Sequence, residues 1–209
     1  LATKRDYMER MVNKKIECMS IAKKYGRDYW DGNRRYGYGG YRYIKNYWKK
    51  TANKIIQTYK LKNSSKILDL GCGKGFLLYE IKKILPLIKI IGLDISKYAI
   101  ENSKPEIKSY LKHFDIRKKL PFKKKSFDLV ITLGTLHNMS INHLFSIIEE
   151  INRVGKKSYI MVESYRNDKE LFNLQCWALT CESFFSNKEW SWIFKKLNYK
   201  GDFEFIHFE

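Results

Sequence analysis

The residues with the clearest chemical potential lie in Lys66-Ile67-Leu68-Asp69-Leu70-Gly71-Cys72-Gly73-Lys74-Gly75, where an apolar run ends in an acid and three alternating glycines. Glycines at such a turn let the backbone approach a ligand that any Cβ would hold off, and they accept positive φ. Taken alone the motif is weak, because a dinucleotide site begins similarly, although Gly-x-Gly-x-Gly is one residue shorter than that fingerprint. Asp69 supplies a negative charge suited to a cationic sulfonium amino acid. About twenty residues after the glycines, Ile90-Ile91-Gly92-Leu93-Asp94 ends in a second acid, where a carboxylate can accept both hydroxyl hydrogens of a ribose. A third, Asp115 in His113-Phe114-Asp115-Ile116, is placed to meet an adenine amino group.

Other candidates fall further along. His137, in Gly134-Thr135-Leu136-His137-Asn138, is the best candidate general base, because an imidazole titrates near neutrality; a single His is more often structural. His143 is a weaker candidate and His113 is expected within a strand. Glu163, Tyr165 and Arg166 form a polar group that could hold an acceptor or serve only as a cap and surface pair. In Arg34-Arg35-Tyr36-Gly37-Tyr38-Gly39-Gly40-Tyr41-Arg42, the tyrosines (Tyr36, Tyr38, Tyr41) could pack on a ligand and the arginines could clamp phosphate or carboxylate groups. The competing reading is an aromatic loop packed on the sheet edge.

Those residues need elements to hold them. From Lys66 onward, short apolar strands alternate with amphipathic helices, the pattern of an α/β domain with a mainly parallel sheet. Strands are predicted at Lys66–Leu70, Lys89–Asp94, Ser109–His113, Phe127–Leu133, Ser158–Glu163 and near Phe203–Phe208. Helices are predicted at Phe76–Leu85, Lys97–Ser103, Ile141–Val154, Lys169–Thr180 and Lys188–Leu197. Upstream, Thr3–Lys24 reads as an amphipathic helix and Tyr47–Tyr59 as another. Between them, Tyr25–Tyr43 carries too many glycines for a regular helix and reads as an ordered loop or lid. The expected division is a helical cap and lid over residues 1–60 and a ligand-binding domain over 61–209. In such a sheet, ligands sit beyond the carboxyl ends of the strands where the strand order reverses, and the three acids are all predicted there.

Composition narrows the class. The 209 residues, 44% of them hydrophobic, suit one domain with one sizeable core. There is no run of about 18–20 apolar residues to cross a membrane and no apolar leader, so a cytoplasmic protein is expected. The chain opens on Leu1, leaving open whether residues precede it. Cys18, Cys72, Cys176 and Cys181 form no C-x-x-C pair, so neither a metal site nor a redox motif is indicated. A net charge of +19 raises nucleic acid as a partner, but the cations are mostly scattered lysines, which a Lys-rich coding bias explains equally well.

Four segments in order (Leu68–Gly75, Gly92-Leu93-Asp94-Ile95-Ser96, Leu120-Pro121-Phe122 with Ser126–Val130, and Leu136-His137-Asn138) resemble the class I S-adenosylmethionine-dependent methyltransferases of the small-molecule type 11 group. The resemblance runs from Lys66 to the C-terminus. It implies a Rossmann-like, mostly parallel seven-stranded sheet with a reversed last strand and helices on both faces, beneath an N-terminal helical and aromatic lid. It also implies S-adenosylmethionine as cofactor, with Asp69, Gly71, Cys72, Gly73 and Gly75 around the methionine part. Asp94 and Ile95 would meet the ribose, Asp115 and Ile116 the adenine, and Leu133 and Gly134 would line the path to the sulfonium. No metal is required. The expected acceptor is a small anionic metabolite, phosphorylated or nucleotide-activated, such as a surface-polysaccharide precursor. The alternatives are an RNA methyltransferase, against which stands the lack of an Asn/Asp-Pro-Pro-aromatic motif, and a non-catalytic cofactor-binding protein.

Overall fold

The computed structural model describes residues 5–209. Six strands form one sheet: β1 (Lys66–Leu70), β2 (Lys89–Asp94), β3 (Leu111–His113), β4 (Phe127–Leu133), β5 (Gly155–Glu163) and β6 (Asp202–Ile206). They lie in the order β3-β2-β1-β4-β5-β6, and every pairing is parallel. The order reverses at β1, between the strands that lead right to β4 and left to β2, so the ends of β1, β2 and β4 converge on one crevice.

Both faces of the sheet are covered, as a parallel sheet requires. Side-chain alternation divides β1 and β4 between two cores. Ile67, Leu129 and Ile131 pack with α4 (Lys49–Tyr59), α5 (Phe76–Ile84) and Ile107 of α7 (Pro105–Lys108). Leu68, Leu70 and Val130 pack with α8 (Ile141–Val154) and α10 (Asn187–Lys196). α6 (Lys97–Glu101) follows β2, capped by the Ser96 side chain accepting from the Ala99 N–H, and α9 (Asp168–Trp177) follows β5.

Two expectations need correction. Among the described residues there is no seventh, reversed strand. β6 pairs directly and in parallel with β5, from Tyr159 opposite Asp202 to Glu163 opposite Ile206, because α9 and α10 carry the chain back to the starting edge of the sheet. The helix expected over Thr3–Lys24 is two helices, α1 (Tyr7–Val12) and α2 (Lys15–Ala22), broken where Lys14 takes a left-handed conformation at φ 51°; Thr3 and Lys4 lie outside the described residues. Residues 25–43 are mostly irregular, with one turn of helix at α3 (Arg27–Trp30) and a 3-10 turn at Arg34–Tyr36.

Trp190 anchors the α10 face. It is fully buried, stacks on Phe194, meets Phe185 edge-on, and its indole N–H donates to the Glu163 carbonyl at 3.1 Å, fixing the end of β5. Trp190→Ala is expected to cost about 3–5 kcal/mol of stability, read by denaturant unfolding, because it combines a large cavity with an orphaned carbonyl.

Candidate active site at the carboxyl ends of the strands

The turn after β1 is built by close packing. At Gly71 (φ +79°) a Cβ would lie 2.1 Å from the Thr135 Oγ1, so the residue must be glycine for both conformation and space. The amides of Gly71 and Cys72 donate to the Leu93 carbonyl at 2.8 and 3.1 Å, and the Gly73 amide donates to Asp94 Oδ2 at 2.7 Å. Asp94 Oδ1 accepts from the Ser96 amide, also at 2.7 Å. One carboxylate therefore holds the glycine turn against the end of β2. Each of its oxygens retains a lone pair for a ligand hydroxyl. Burial pushes the Asp94 carboxyl above its ordinary value, while these two N–H groups pull it back.

Residues 25–43 pack directly onto this turn. The Trp30 ring approaches Gly73 so closely that a Cβ there would lie 2.8 Å from it, and its indole N–H donates to Ser96 Oγ at 2.8 Å. Ser96 Oγ in turn donates to the Tyr25 carbonyl at 2.5 Å. Tyr38 stacks on Trp30 (ring centroids 5.2 Å, planes 11° apart), and Tyr29 meets both edge-on. A second attachment runs through Lys74, the residue between the last two glycines. Its ammonium, 5% exposed, lies 2.6 Å from Asp31 Oδ2, which also accepts from Tyr98 at 2.8 Å; Asp31 Oδ1 accepts from the Tyr41 amide.

Beneath this aromatic roof is a cavity of about 130 Å³. Of the residues expected around a cofactor, Gly71, Asp94, Ile95, Asp115, Ile116, Leu133 and Gly134 line it. Asp69, Cys72, Gly73 and Gly75 do not: Gly73 faces Trp30, Gly75 packs on Ile107 and Leu111, and Cys72 packs against Gly92. Asp69 is buried just behind, its carboxyl raised to about 8 by burial and by the neighbouring charge of Asp94. Burial likewise pushes the Cys72 thiol well up, so it is no nucleophile.

The acceptor-side expectations fare unevenly. Tyr38 lines the cavity. Arg34 donates to the Gly37 carbonyl and lies over the Trp177 ring, Arg35 donates to Asn13 and lies over Tyr36, and Tyr36 packs beside Cys18 and Ala22. Tyr41 stacks on Phe76, and Arg42 lies beside Gly40, outside the lining. Tyr165 pairs with Glu189, and Arg166 with Glu170 and Glu209. The arginine clamp is thus not at the cleft. The cation that is there, Arg117, forms a two-pronged bond to Asp115 at 2.8 and 2.7 Å and holds that carboxyl below its ordinary range.

His137 is also displaced from the expected position. It is buried, and its Nδ1 accepts from the Glu163 amide at 3.1 Å, which leaves the proton on Nε2, 3.4 Å from Glu163 Oε2. Burial lowers its basicity, against the pull of Glu163. Both ring nitrogens serve the junction of β4 and β5, and the ring does not line the cavity. Tyr25, Tyr29, Trp30, Arg117, Thr135, Asn138 and Met139 line it and were not among the predicted site residues. Arg117 could have been suspected from Asp115-Ile116-Arg117, which brings a guanidinium within reach of its own acid.

Comparison with known proteins agrees with this geometry. Residues 61–202 match a family model described as a methyltransferase domain. Mitochondrial arginine-hydroxylase NDUFAF5 of Mus musculus is 30% identical over 109 residues, covering 52% of this chain and 31% of that protein. Ubiquinone biosynthesis O-methyltransferase of Pelagibacter ubique is 28% identical over 166 residues, covering 72% and 63%. The chain spans about a third of the length of the first curated relatives it matches. A SAM-dependent methyltransferase from Archaeoglobus fulgidus shares the fold at TM-score 0.56 and 21% identity, over 71% of this chain and 68% of that one.

The Lys74–Asp31 pair gives a test of how the roof is held. Removing one partner strands the other's charge in a dry setting, so Asp31→Ala is expected to cost about 3–5 kcal/mol, more than Asp31→Ala in a Lys74→Met background. For Asp31, burial acts to raise the carboxyl, but hydrogen bonds from Lys74 and Tyr98 hold it below its ordinary value. Its stabilisation is therefore complete above the unfolded value of about 3.9 and is lost as pH falls through the lower folded value. Acid unfolding of wild type and Asp31→Asn should differ in that window.

Proposed function

The chain belongs to the S-adenosylmethionine-dependent methyltransferase-domain family, and on that footing we propose that it transfers a methyl group to a small acceptor held beneath the aromatic roof. The observation that carries the reading is the Asp94 carboxylate at the rim of the cavity, clamped by the Gly73 and Ser96 amides with lone pairs to spare.

The residues present fit the cofactor. Gly71 lines the cavity without a Cβ, Asp94 would accept from the ribose hydroxyls through its spare lone pairs, Ile116 would give the adenine an apolar face, and Asp69, buried behind the cavity, would answer a cationic amino-acid moiety. When bound, the cofactor supplies an electrophilic methyl group on a sulfonium. The chain's own part is to orient an acceptor and exclude water. Residues 25–43 serve as the lid, with Tyr25, Tyr29, Trp30 and Tyr38 as its inner surface. Thr135 and Asn138, after β4, offer hydrogen-bonding groups to an acceptor hydroxyl or amine.

An anionic acceptor has less support than its arginines suggested, since Arg34, Arg35 and Arg166 are engaged elsewhere and Arg117 is neutralised by Asp115. An RNA acceptor rests on net charge alone, and nothing at the cavity favours it.

Calorimetric titration with S-adenosylhomocysteine should show saturable micromolar binding that Asp94→Ala abolishes; intact protein that takes up no ligand with or without acceptor would overturn the assignment. A second expectation concerns protons. Asp69, with its carboxyl at about 8, is mostly protonated at neutral pH, and the ligand's α-ammonium group, bound close to it, would favour the charged form. Binding at pH 7 should therefore release protons, seen as a dependence of the heat on buffer ionisation enthalpy that Asp69→Asn removes.

A further inference from the structure

Because every strand is parallel, all six begin at one edge of the sheet, opposite the cavity. Lysine recurs there. β1 starts at Lys66 and β2 at Lys89, which are register partners; β4 follows Lys123-Lys124-Lys125; β5 opens Gly155-Lys156-Lys157; and Lys200 precedes β6. Five neighbouring strands thus carry cations at their starts. With about 4.8 Å between strands, the row from Lys89 to Lys200 spans roughly 19 Å.

The row is poorly neutralised. Asp128 pairs with Lys156 at 2.9 Å and accepts from the Lys66 amide, and Asp202 accepts from Tyr59. Lys89, Lys123, Lys124, Lys157 and Lys200 are exposed and make no ion pair among the described residues. Between α4, β5 and β6 the same edge opens into a cleft of about 510 Å³ whose lining includes Lys125, Lys156, Lys157, Lys200, Tyr59 and Asn198. Lys125 bonds the Asn152 and Gly155 carbonyls and Lys156 pairs with Asp128, which leaves the ammonium groups of Lys157 and Lys200 at the cleft, beside Asp202.

We infer that this lysine edge is a docking surface for a single-stranded nucleic acid, gripped through its phosphates. A linear row of cations leading into a cleft suits a phosphodiester chain, which offers evenly spaced charges along its length and is held without base readout by lysine as a point charge. An anionic membrane surface is served less well, since it pairs cations with an apolar face and Leu197 is the one aliphatic side chain lining the cleft. Because the edge lies at the opposite ends of the strands from the cavity, the bound strand is a tether and not the methyl acceptor. The inference stands independently of methyl transfer.

The test is fluorescence anisotropy of the full chain with a labelled poly-uridine RNA between about 50 and 200 mM salt. Wild type should bind with a log–log salt dependence. Lys157→Gln with Lys200→Gln should weaken binding and flatten that slope by about 1.4, or 0.7 for each lost phosphate contact. The matched control is Lys169→Gln with Lys188→Gln, equal in charge but at the start of α9 and α10 near the other end of the sheet, and it should leave the slope unchanged. Affinity for S-adenosylhomocysteine should be the same in all three proteins, which separates this test from that of the cofactor site. Equal loss in the two double variants would show that net charge alone acts and would overturn the inference. So would no binding of RNA, or binding to phosphatidylserine vesicles in its place.

Discussion

The site depends on the position of one carboxylate. Asp94 accepts from Gly73 on one side and Ser96 on the other. Ser96 holds Trp30 and the Tyr25 carbonyl; Asp31, the residue after Trp30, holds Lys74; and Lys74 adjoins Gly73 in the turn where the circuit began. The ring of bonds closes through two chain-neighbour steps, Trp30 to Asp31 and Gly73 to Lys74. Each member is buried or half-buried, so each bond counts for more than it would in water, and loss of any one leaves an unpaired polar group. The roof, the glycine turn and the end of β2 therefore form one unit.

That unit explains why the irregular segment 25–43 is ordered without a long helix. Within it the Tyr38 amide donates to the Tyr29 carbonyl and the Gly40 and Tyr41 amides to that of Trp30, so the chain folds back on α3. Its attachment to the sheet comes from Trp30 against Gly73, Tyr41 on Phe76 and the Lys74–Asp31 pair, with Tyr38 stacked on Trp30. The glycine in the turn and the tryptophan above it are complementary: lacking a Cβ at residue 73, the ring settles against the backbone. A side chain there would push the roof away from the site.

Periodicity made much of the sheet legible. β1, β2, β4 and helix α8 have the bounds read from the sequence, because strands buried on both faces show as short, nearly continuous apolar runs and α8 as an apolar stripe of helical period. The three acids were legible as strand-end residues for the same reason. The reversed seventh strand was not a reading of residues; it came with the family, and the α9–α10 crossover delivers β6 in parallel instead. Nor could residue type say where a guanidinium points. Arg34 and Arg35 sit among tyrosines in the sequence, yet one lies over Trp177 and the other reaches Asn13, contacts made by chain segments remote from them. Sequence placed His137 correctly at the end of β4, but not its orientation, which the Glu163 amide and carboxylate determine from the next strand.

A parallel sheet has two chemically different edges, and here they have been put to different uses. At the ending edge acids and cations are matched, Asp115 with Arg117 and Asp31 with Lys74, around buried space and glycine turns; at the starting edge Lys89, Lys123, Lys124, Lys157 and Lys200 make no ion pair among the described residues, with Asp128 and Asp202 between them. The unpaired charge therefore lies at the starting edge, with the dry core between it and the cavity. A coding bias toward lysine can raise the total of +19, but it has no reason to align unpaired lysines with the strand starts. Composition sets how much charge the chain carries, and the fold decides where that charge is free to act.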